Sequence, residues 1–253
     1  MHDKPEEWIP LPQEPMQYEA ISDRYTELVK TDPGKMFVQF PSALQLLGDV
    51  SGKTILDVGC GSGMFDQELS RRGAKVTAYD ISSEQIAHAK EAQEKELSHV
   101  EYLVSSPQEF KSGKLFDEAV SVLVLHYAPD TEYLRDFFSS TEKVIKEGGR
   151  FVCILTNPEF KRLGEVVCNR CFKRLENGKM SADFFDKNKE VSFSAEFSDF
   201  STGDYEKAAT DAGFSRFEWI PLQVSEDGLQ KLGADYWKGF EEDCLYVGFI
   251  AYK

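Results

Sequence analysis

Short apolar runs alternate with amphipathic stretches along most of this chain from residue 54 onward. Continuous apolar runs are typical of strands buried on both faces, and apolar residues three and four apart are typical of helices. The runs predict strands at residues 53–59, 74–80, 100–106, 117–126 and 150–157. The stretches between them predict helices within residues 63–73, 82–96 and 130–149. This alternation indicates a βαβ series around a parallel sheet.

The flanks of this series and one internal segment have a different pattern. Residues 16–30 and 40–50 show helical spacing, whereas residues 158–201 form a long interruption in which 191–197 alternate as a strand does. An insertion of this length in a compact domain is often a lid or a substrate wall. The final segments predict a helix at 202–214 and strands at 216–222 and 244–253.

A chain of 253 residues is long enough for one α/β domain with insertions. We therefore expect a single domain in which the N-terminal helices and the insertion form a lid. Its expected parts are an N-terminal helical cap (1–50), a core (54–157), a substrate-side insertion (158–201) and a C-terminal part that completes the sheet (202–253).

Acidic residues outnumber basic ones, 44 against 29, which gives a formal net charge of -15. Such a surface repels phosphate backbones and anionic lipids, so we expect neither a nucleic-acid nor a membrane partner. The start of the chain, MHDKPEEWIPLPQEP, lacks the layout of a signal peptide, and no run reaches the roughly 18 apolar residues of a spanning helix. The expectation is a cytoplasmic monomer or homodimer.

The five cysteines have no spacing typical of a disulfide framework, which suits a reducing compartment. The CNRC stretch, from Cys168 to Cys171, has the spacing of half a zinc site, but no second pair or nearby histidine completes four ligands. We interpret the cysteines as ordinary thiols and expect no metal.

The stretch LDVGCGSG places glycines at every second position directly after a predicted strand. Glycine has no Cβ and tolerates positive φ, so Gly59, Gly61 and Gly63 let a ligand approach bare main chain. The dinucleotide pattern G-x-G-x-x-G would require a glycine where Met64 stands. Asp57, at the mouth of the turn, also disfavours a pyrophosphate and favours a cationic group.

A second acidic residue, Asp80, ends the next predicted strand. In doubly wound folds a carboxylate at this position accepts hydrogen bonds from ribose hydroxyls. Asp57 and Asp80 together therefore indicate a ligand that contains both a nucleoside and a cationic group.

With these residues the chain resembles the class I S-adenosylmethionine-dependent methyltransferases. The resemblance implies a doubly wound, Rossmann-like α/β fold with a mostly parallel seven-stranded sheet and an antiparallel C-terminal strand. It also implies that S-adenosyl-L-methionine is the cofactor and S-adenosyl-L-homocysteine the product. The residues that match the family's glycine motif are Asp57, Gly59, Cys60, Gly61 and Gly63.

Other positions match the family outside the glycine motif. The resemblance implies that Asp80 binds the ribose, that Ile81 packs on adenine, and that the backbone near Val122 and Leu123 lies beside the methionine part. Two tyrosines resemble the N-terminal tyrosines that close over the cofactor or substrate in this family, namely Tyr18 and Tyr25.

One segment departs from the family pattern. The family usually has a Gly-Asp pair after the third strand, whereas this chain has Ser105, Ser106 and Pro107. We expect Ser106 and Pro107 to replace that pair beside the adenine. The layout of residues 202–214 and 218–240 is similar to that of small-molecule members of the toxoflavin N-methyltransferase type.

Methyl transfer from a sulfonium is an in-line displacement, so the protein contributes mainly by alignment and by excluding water. A base assists when the acceptor is a hydroxyl or a protonated amine. His126, at the end of the fourth predicted strand, is the candidate because the pKa of histidine ordinarily lies near neutrality. Alternatively, His126 is a structural residue that forms a hydrogen bond with a loop.

These observations predict an enzyme that transfers a methyl group to nitrogen or oxygen of a small aromatic or apolar metabolite. One alternative is a methyltransferase that acts on tRNA or protein, which would use the same cofactor residues. Another is a non-catalytic module that binds S-adenosylmethionine. A nicotinamide dehydrogenase is disfavoured by Met64 in the helix-packing position.

Overall fold

Two β-sheets and six α-helices make up the part of the chain that this computed structural model describes, residues 31–96, 98–186 and 188–253. The strands are β1 (Thr54–Val58), β2 (Lys75–Asp80), β3 (Val100–Val104), β4 (Phe116–Val122), β5 (Ile145–Thr156), β6 (Val166–Val167), β7 (Arg170–Arg174), β8 (Lys179–Phe185), β9 (Val191–Ser198), β10 (Arg216–Pro221) and β11 (Tyr246–Tyr252). The helices are α1 (Phe40–Leu47), α2 (Met64–Arg71), α3 (Ser83–Glu96), α4 (Thr131–Val144), α5 (Thr202–Ala212) and α6 (Glu226–Leu232).

The first sheet has seven strands in the order β10-β11-β5-β4-β1-β2-β3. The pairs β1–β2, β2–β3, β1–β4 and β4–β5 are parallel, and β11 is antiparallel to both of its neighbours. The β5 residues 151–155 are fully buried, as expected of a strand covered by helices on both faces. This arrangement confirms the Rossmann-like fold with an antiparallel C-terminal strand.

The helices between these strands begin and end where the sequence supplies capping groups. Asp130 precedes α4 and its side chain accepts a hydrogen bond from Tyr133 N at 2.8 Å. Ser201 and Asp204 form a capping box at the start of α5, and Gly213 ends that helix in the left-handed conformation. Local sequence therefore determines these boundaries.

The predicted boundaries differ most from the structure at the end of β4 and at the junction of α4 and β5. The strand predicted to reach residue 126 ends at Val122, because Leu123 adopts a left-handed φ of 59° and a 3₁₀ turn, Leu125–Tyr127, follows. The helix predicted to reach residue 149 ends at Val144, and β5 begins at once with Ile145. Gly149 lies inside β5, where a Cβ would collide with Ile145 and with the backbone oxygen of Asp117.

The insertion folds as a second, antiparallel sheet in the order β6-β7-β8-β9. Of these strands the sequence pattern predicts only β9. Cys168 and Asn169, both at positive φ, form the two-residue turn between β6 and β7, which gives the CNRC stretch a structural explanation as a hairpin. Phe172 and Phe197 of this sheet belong to the same buried cluster as Ile154 of β5, so the second sheet packs on the first.

A buried ion-pair cluster fixes α1 against the first sheet. The carboxylate of Glu118 accepts hydrogen bonds from Arg150 Nη2 at 2.8 Å and from Lys53 Nζ at 3.2 Å. The same guanidinium donates to the carbonyl oxygens of Leu46 and Leu47, each at 3.2 Å, where α1 ends. Arg150 thus donates hydrogen bonds both to the terminal carbonyls of α1 and to a carboxylate of the sheet.

Candidate functional site

A cavity of about 1080 Å³, a volume that includes its solvent-open mouth, lies at the carboxyl ends of β1, β2 and β4, and we call it the main cavity. Ligands of open α/β sheets bind at this edge. Nine of the residues predicted from the sequence line it: Asp57, Gly59, Cys60, Gly61, Asp80, Ile81, Pro107, Val122 and Leu123.

The three glycines of the turn after β1 have positive φ angles, of 78° at Gly59, 55° at Gly61 and 76° at Gly63, but different surroundings. A Cβ on Gly59 would lie 2.5 Å from Val124, and one on Gly63 would collide with the Tyr102 hydroxyl. A Cβ on Gly61 would meet only Gln85 Oε1, at 3.6 Å. Gly61 is thus the glycine with open space before it, whereas close packing within the protein requires the other two.

Asp80 connects the end of β2 to the glycine turn. One of its oxygens accepts a hydrogen bond from Gly61 N at 2.8 Å and the other accepts from Ser82 N at 2.9 Å. Burial raises the pKa of Asp80, and these backbone donors oppose the shift. Each carboxylate oxygen has a second lone pair, so Asp80 can also accept hydrogen bonds from a ligand in the cavity.

Asp57 lies close to a second buried acid, Asp66. The exposed fractions of the two residues are 3% and 0%. Burial raises the pKa of Asp57 to about 6, and the hydrogen bond from Asp66 and the charge of Lys35 oppose this shift. Burial and the Asp57 charge raise the pKa of Asp66 well above its usual range. Burial therefore favours the protonated form of Asp66 more strongly than that of Asp57.

Four of the predicted cofactor-binding residues do not line the main cavity or cannot be placed in it. Gly63 packs against Tyr102 instead. The hydroxyl of Ser106 hydrogen-bonds Glu109 on an exposed loop, at 3.2 Å, and Ser105 lines the cavity in its place. Tyr18 and Tyr25 lie outside the described residues.

His126 lies in the 3₁₀ turn after β4, only 2% exposed, and lines a second cavity of about 450 Å³ rather than the first. Its ring packs against Tyr127 and Phe197, at centroid distances of 4.3 and 5.0 Å. Burial lowers the pKa of His126 to about 3, so the imidazole is neutral at pH 7 and takes up a proton poorly. Its role as a base stays a prediction, and its surroundings favour a neutral hydrogen-bonding group.

The structure also brings residues to the main cavity that sequence reasoning missed. Lys35 comes from a π-helical turn before α1, and Tyr133 and Phe137 come from α4. The spacing of Tyr133 and Phe137, four residues apart, shows that they share one helix face. Nothing in the local sequence indicates that this face, or Lys35, reaches the carboxyl ends of the strands.

The backbone at Leu123 adopts a conformation that is uncommon for a residue with a side chain. Its φ is 59°, and its N–H still donates to Ile154 O of β5 at 2.7 Å. The left-handed conformation costs about 1–2 kcal/mol for a non-glycine residue, and such strain concentrates where a chain faces a ligand.

Within the described ranges, no group of three or more His, Cys, Asp and Glu side chains is arranged to hold a metal ion. Over the same ranges, no helix combines the length and the hydropathy required to cross a lipid bilayer.

Comparison with known families and proteins agrees with this geometry. Residues 56–153 match the family described as "Methyltransferase domain". A ubiquinone biosynthesis O-methyltransferase from Psychrobacter arcticus is 25% identical over 207 residues, which are 78% of this chain and 71% of that protein. Another, from Pelagibacter ubique, is 29% identical over 107 residues, and this chain spans only 43% of its length.

Solved structures share the fold at low sequence identity. An S-adenosylmethionine-dependent methyltransferase from Mesorhizobium loti has a TM-score of 0.63 at 19% identity, with 89% of this chain and 100% of that chain covered. An S-adenosylmethionine-bound amino pentose methyltransferase from Micromonospora echinaspora has a TM-score of 0.57 at 16% identity, with 99% of both chains covered. Residues 56–153 therefore match the methyltransferase family in sequence, and the described chain has the Rossmann-like fold of the solved S-adenosylmethionine-dependent methyltransferases.

Proposed function

We propose that the whole chain is an S-adenosylmethionine-dependent methyltransferase that acts on nitrogen or oxygen of a small aromatic or apolar molecule. The observation that carries the proposal is the main cavity, in which an ionised Asp57, an open Gly61 and Asp80 lie together at the carboxyl ends of β1 and β2.

The residues of this cavity fit the chemical groups of the cofactor. Asp57 offers a negative charge to an ammonium group, and Asp80 offers acceptor lone pairs to ribose hydroxyls. Ile81, which is 37% exposed at the cavity, offers an apolar surface to a flat base. The space before Gly61 leaves the main chain accessible between the two acids.

When bound, the cofactor supplies a methyl group activated by a sulfonium. The side chains contribute by binding, orientation and exclusion of water. Asp57 and Asp80 orient opposite ends of the ligand. Tyr133 and Phe137 of α4 extend the apolar lining of the cavity, which excludes water. Few catalytic side chains are needed for an in-line displacement, which agrees with the weak basicity of the buried His126.

Two features support a small acceptor. The second cavity is lined largely by aromatic and apolar side chains with a few polar groups, as is usual for small-molecule sites. The acidic chain, with a net charge of -15, is poorly suited to nucleic acid. The likeness to the toxoflavin N-methyltransferase type agrees with such an acceptor and stays a prediction.

Calorimetry with S-adenosylhomocysteine tests the cofactor assignment. The full chain is expected to bind it saturably. Ile81→Ala is expected to weaken binding by about 1 kcal/mol, or fivefold, through lost apolar contact. Leu229→Ala, which removes another exposed side chain far along the chain, is the matched control and should leave affinity unchanged. Absence of saturable binding by the folded wild type would remove the proposal.

A further inference from the structure

Asp66 carries a buried carboxyl group that the proposed cofactor site leaves unexplained. It lies in the first turn of α2, it is 0% exposed, and both of its carboxylate oxygens are enclosed. It does not line the main cavity. A buried carboxyl group costs stability unless polar partners surround it, and an apolar residue would fill this position without that cost. The partners of Asp66 therefore indicate what it does.

Strand register brings these partners together. Asp57, Ala78 and Tyr102 are aligned across β1, β2 and β3, so their side chains point to the same face of the sheet. Helix α2 packs on this face, because its Phe65 belongs to the same buried cluster as Ala78 and Tyr102. The side chain of Ala78 is only a methyl group, which leaves space between its two larger neighbours. Asp66 makes hydrogen-bonding contact with both of them, Asp57 and Tyr102.

The same row of side chains lies against the glycine turn. A Cβ on Gly63 would collide with the Tyr102 hydroxyl, so the phenol is packed directly on the backbone of the turn. From Tyr102 the row continues through Asp66 to Asp57, which lines the main cavity. The packing of the turn and the orientation of the Asp57 carboxylate are therefore connected through Asp66.

Two carboxyl groups in contact and shielded from water cannot both be ionised, so the pair retains a proton. Asp66 is the more enclosed member, whereas Asp57 lies at the cavity and is within reach of the Lys35 charge. The proton is therefore held by Asp66. A protonated carboxyl group donates a hydrogen bond, and a carboxylate is a strong acceptor of one.

We propose that Asp66 is a positioning residue for the cofactor: its protonated carboxyl group donates a hydrogen bond to one oxygen of Asp57 and thereby directs the other oxygen into the main cavity. Asp66 touches no ligand and acts through Asp57. This inference rests on the proposed methyltransferase function, in which Asp57 accepts the ammonium group of the cofactor.

Calorimetry of S-adenosylhomocysteine binding between about pH 5 and pH 8 tests the proposal with two variants. Asp66→Leu has a similar volume and no donor. Its affinity is expected to be about fivefold or more weaker at pH 7, and the midpoint of its pH profile should lie about one pH unit above the wild-type midpoint near 6. Asp66→Asn keeps a neutral donor, so its midpoint should stay within about half a pH unit of the wild type.

The midpoint distinguishes positioning from two other roles of Asp66. An unchanged midpoint in Asp66→Leu would mean that the residue serves folding alone and would overturn the proposal. A lower midpoint in both variants would show that Asp66 is ionised and repels Asp57, and would overturn it as well. Thr77→Val is the matched control, because it removes a buried hydroxyl that donates to Glu101 at 3.0 Å and lines neither cavity. It should leave the midpoint unchanged, and a shift equal to that of Asp66→Leu would overturn the proposal.

Other ionisable groups around Asp57 do not produce the expected difference. Lys35 and Asp80 act on its pKa, but both are present in every variant, so they contribute equally to all the profiles. The remaining groups are thiols and phenols whose pKa is raised by burial, so they stay neutral over this pH range: Cys60, Tyr79, Tyr102 and Cys153.

Carbon-13 NMR of the aspartate carboxyl carbons tests the protonation of Asp66 in the wild type without any ligand. One aspartate is expected to remain protonated at pH 7, and its signal should be absent from Asp66→Asn. Only ionised aspartate signals at pH 7 would overturn the proposal, whether or not Asp66→Leu folds.

The positioning role and the proposed function can fail separately. If the wild type binds S-adenosylhomocysteine but Asp66→Leu keeps the wild-type midpoint, the positioning role fails and the methyltransferase function stands. If the folded wild type does not bind S-adenosylhomocysteine, the methyltransferase function fails, and with it the role of Asp66 towards the cofactor, whatever the NMR result.

Discussion

Gly61 is the residue at which the glycine turn meets the main cavity, while its neighbours Gly59 and Gly63 are fixed by packing. All three glycines have a positive φ, and the sequence motif does not distinguish between their roles. Their surroundings separate a ligand-facing role from a folding role, and substitutions should therefore have different consequences.

Gly61→Ala is expected to weaken S-adenosylhomocysteine binding about tenfold or more, because the new methyl projects into the ligand space, while the left-handed φ costs roughly 1 kcal/mol of stability. Gly59→Ala is expected to cost about 2–4 kcal/mol of unfolding free energy, because its Cβ would lie 2.5 Å from Val124. Calorimetry measures the change in affinity, and urea denaturation measures the free energy of unfolding of both variants. Equal losses of stability in both variants would contradict this assignment.

Asp57 should make cofactor affinity depend on pH. Its pKa of about 6 means that it gains a proton as the pH falls below 6 and then no longer offsets a ligand ammonium. Binding of S-adenosylhomocysteine is expected to weaken from pH 7 to pH 5, by at most about tenfold per pH unit below the pKa. Calorimetry at several pH values measures the profile.

The Asp57→Asn variant should bind S-adenosylhomocysteine weakly, and its affinity should change less with pH over the same range. Asp211→Asn removes a carboxylate on α5 that is exposed and lines neither cavity, so it serves as the control and should keep the wild-type profile. A wild-type affinity that is constant between pH 5 and pH 7 would show that Asp57 does not face the ligand's charge.

At the scale of the elements, Arg150 holds α1 to the sheet through Glu118 and the last carbonyls of the helix. Arg150→Met is expected to lower the free energy of unfolding by about 2–4 kcal/mol, because it leaves a buried carboxylate with one remaining cation. Arg216→Gln breaks an exposed ion pair with Glu218 and should cost less than about 1 kcal/mol. Urea denaturation of the two variants compares them, and similar losses would contradict the role of the cluster.

The strands differ in how well the sequence predicts them, for a physical reason. β1 and residues 151–155 of β5 are buried, so continuous apolar runs mark them. β7 reads RCFKR, and its two final residues are exposed, so its pattern resembles that of a loop. Pairing with β8, rather than its own composition, makes this segment a strand.

The candidate site was predictable where topology alone positions a residue. Asp57 and Asp80 end neighbouring parallel strands, so their placement at one edge follows from the strand order. The position of Lys35 and the existence of the second cavity depend on how distant segments pack. No local sequence pattern predicts that packing. The burial that lowers the pKa of His126 likewise comes from Phe197, 71 positions further along the sequence.

At the scale of the whole molecule, the net charge of -15 favours a small-molecule substrate over RNA, because an acidic surface repels phosphate groups. Filter binding with transfer RNA at about 100 mM salt is expected to show no saturable retention, since phosphate contacts supply most non-specific affinity. Adding S-adenosylhomocysteine should not change this result. Tight, salt-sensitive retention, with a Kd below about 1 µM, would favour a tRNA substrate instead.

The chain leaves β5 at Thr156, builds the whole second sheet, and returns to the first sheet's layer with α5 at Thr202. Within the described ranges, no strand belongs to both sheets. Changes in the hairpins that keep Phe172 and Phe197 packed on β5 are therefore expected to leave the register of β1, β2 and β4 unchanged. Under the proposed function, such changes would let evolution or protein engineering diversify the accepted substrate while the part of the protein that holds the coenzyme is inherited intact.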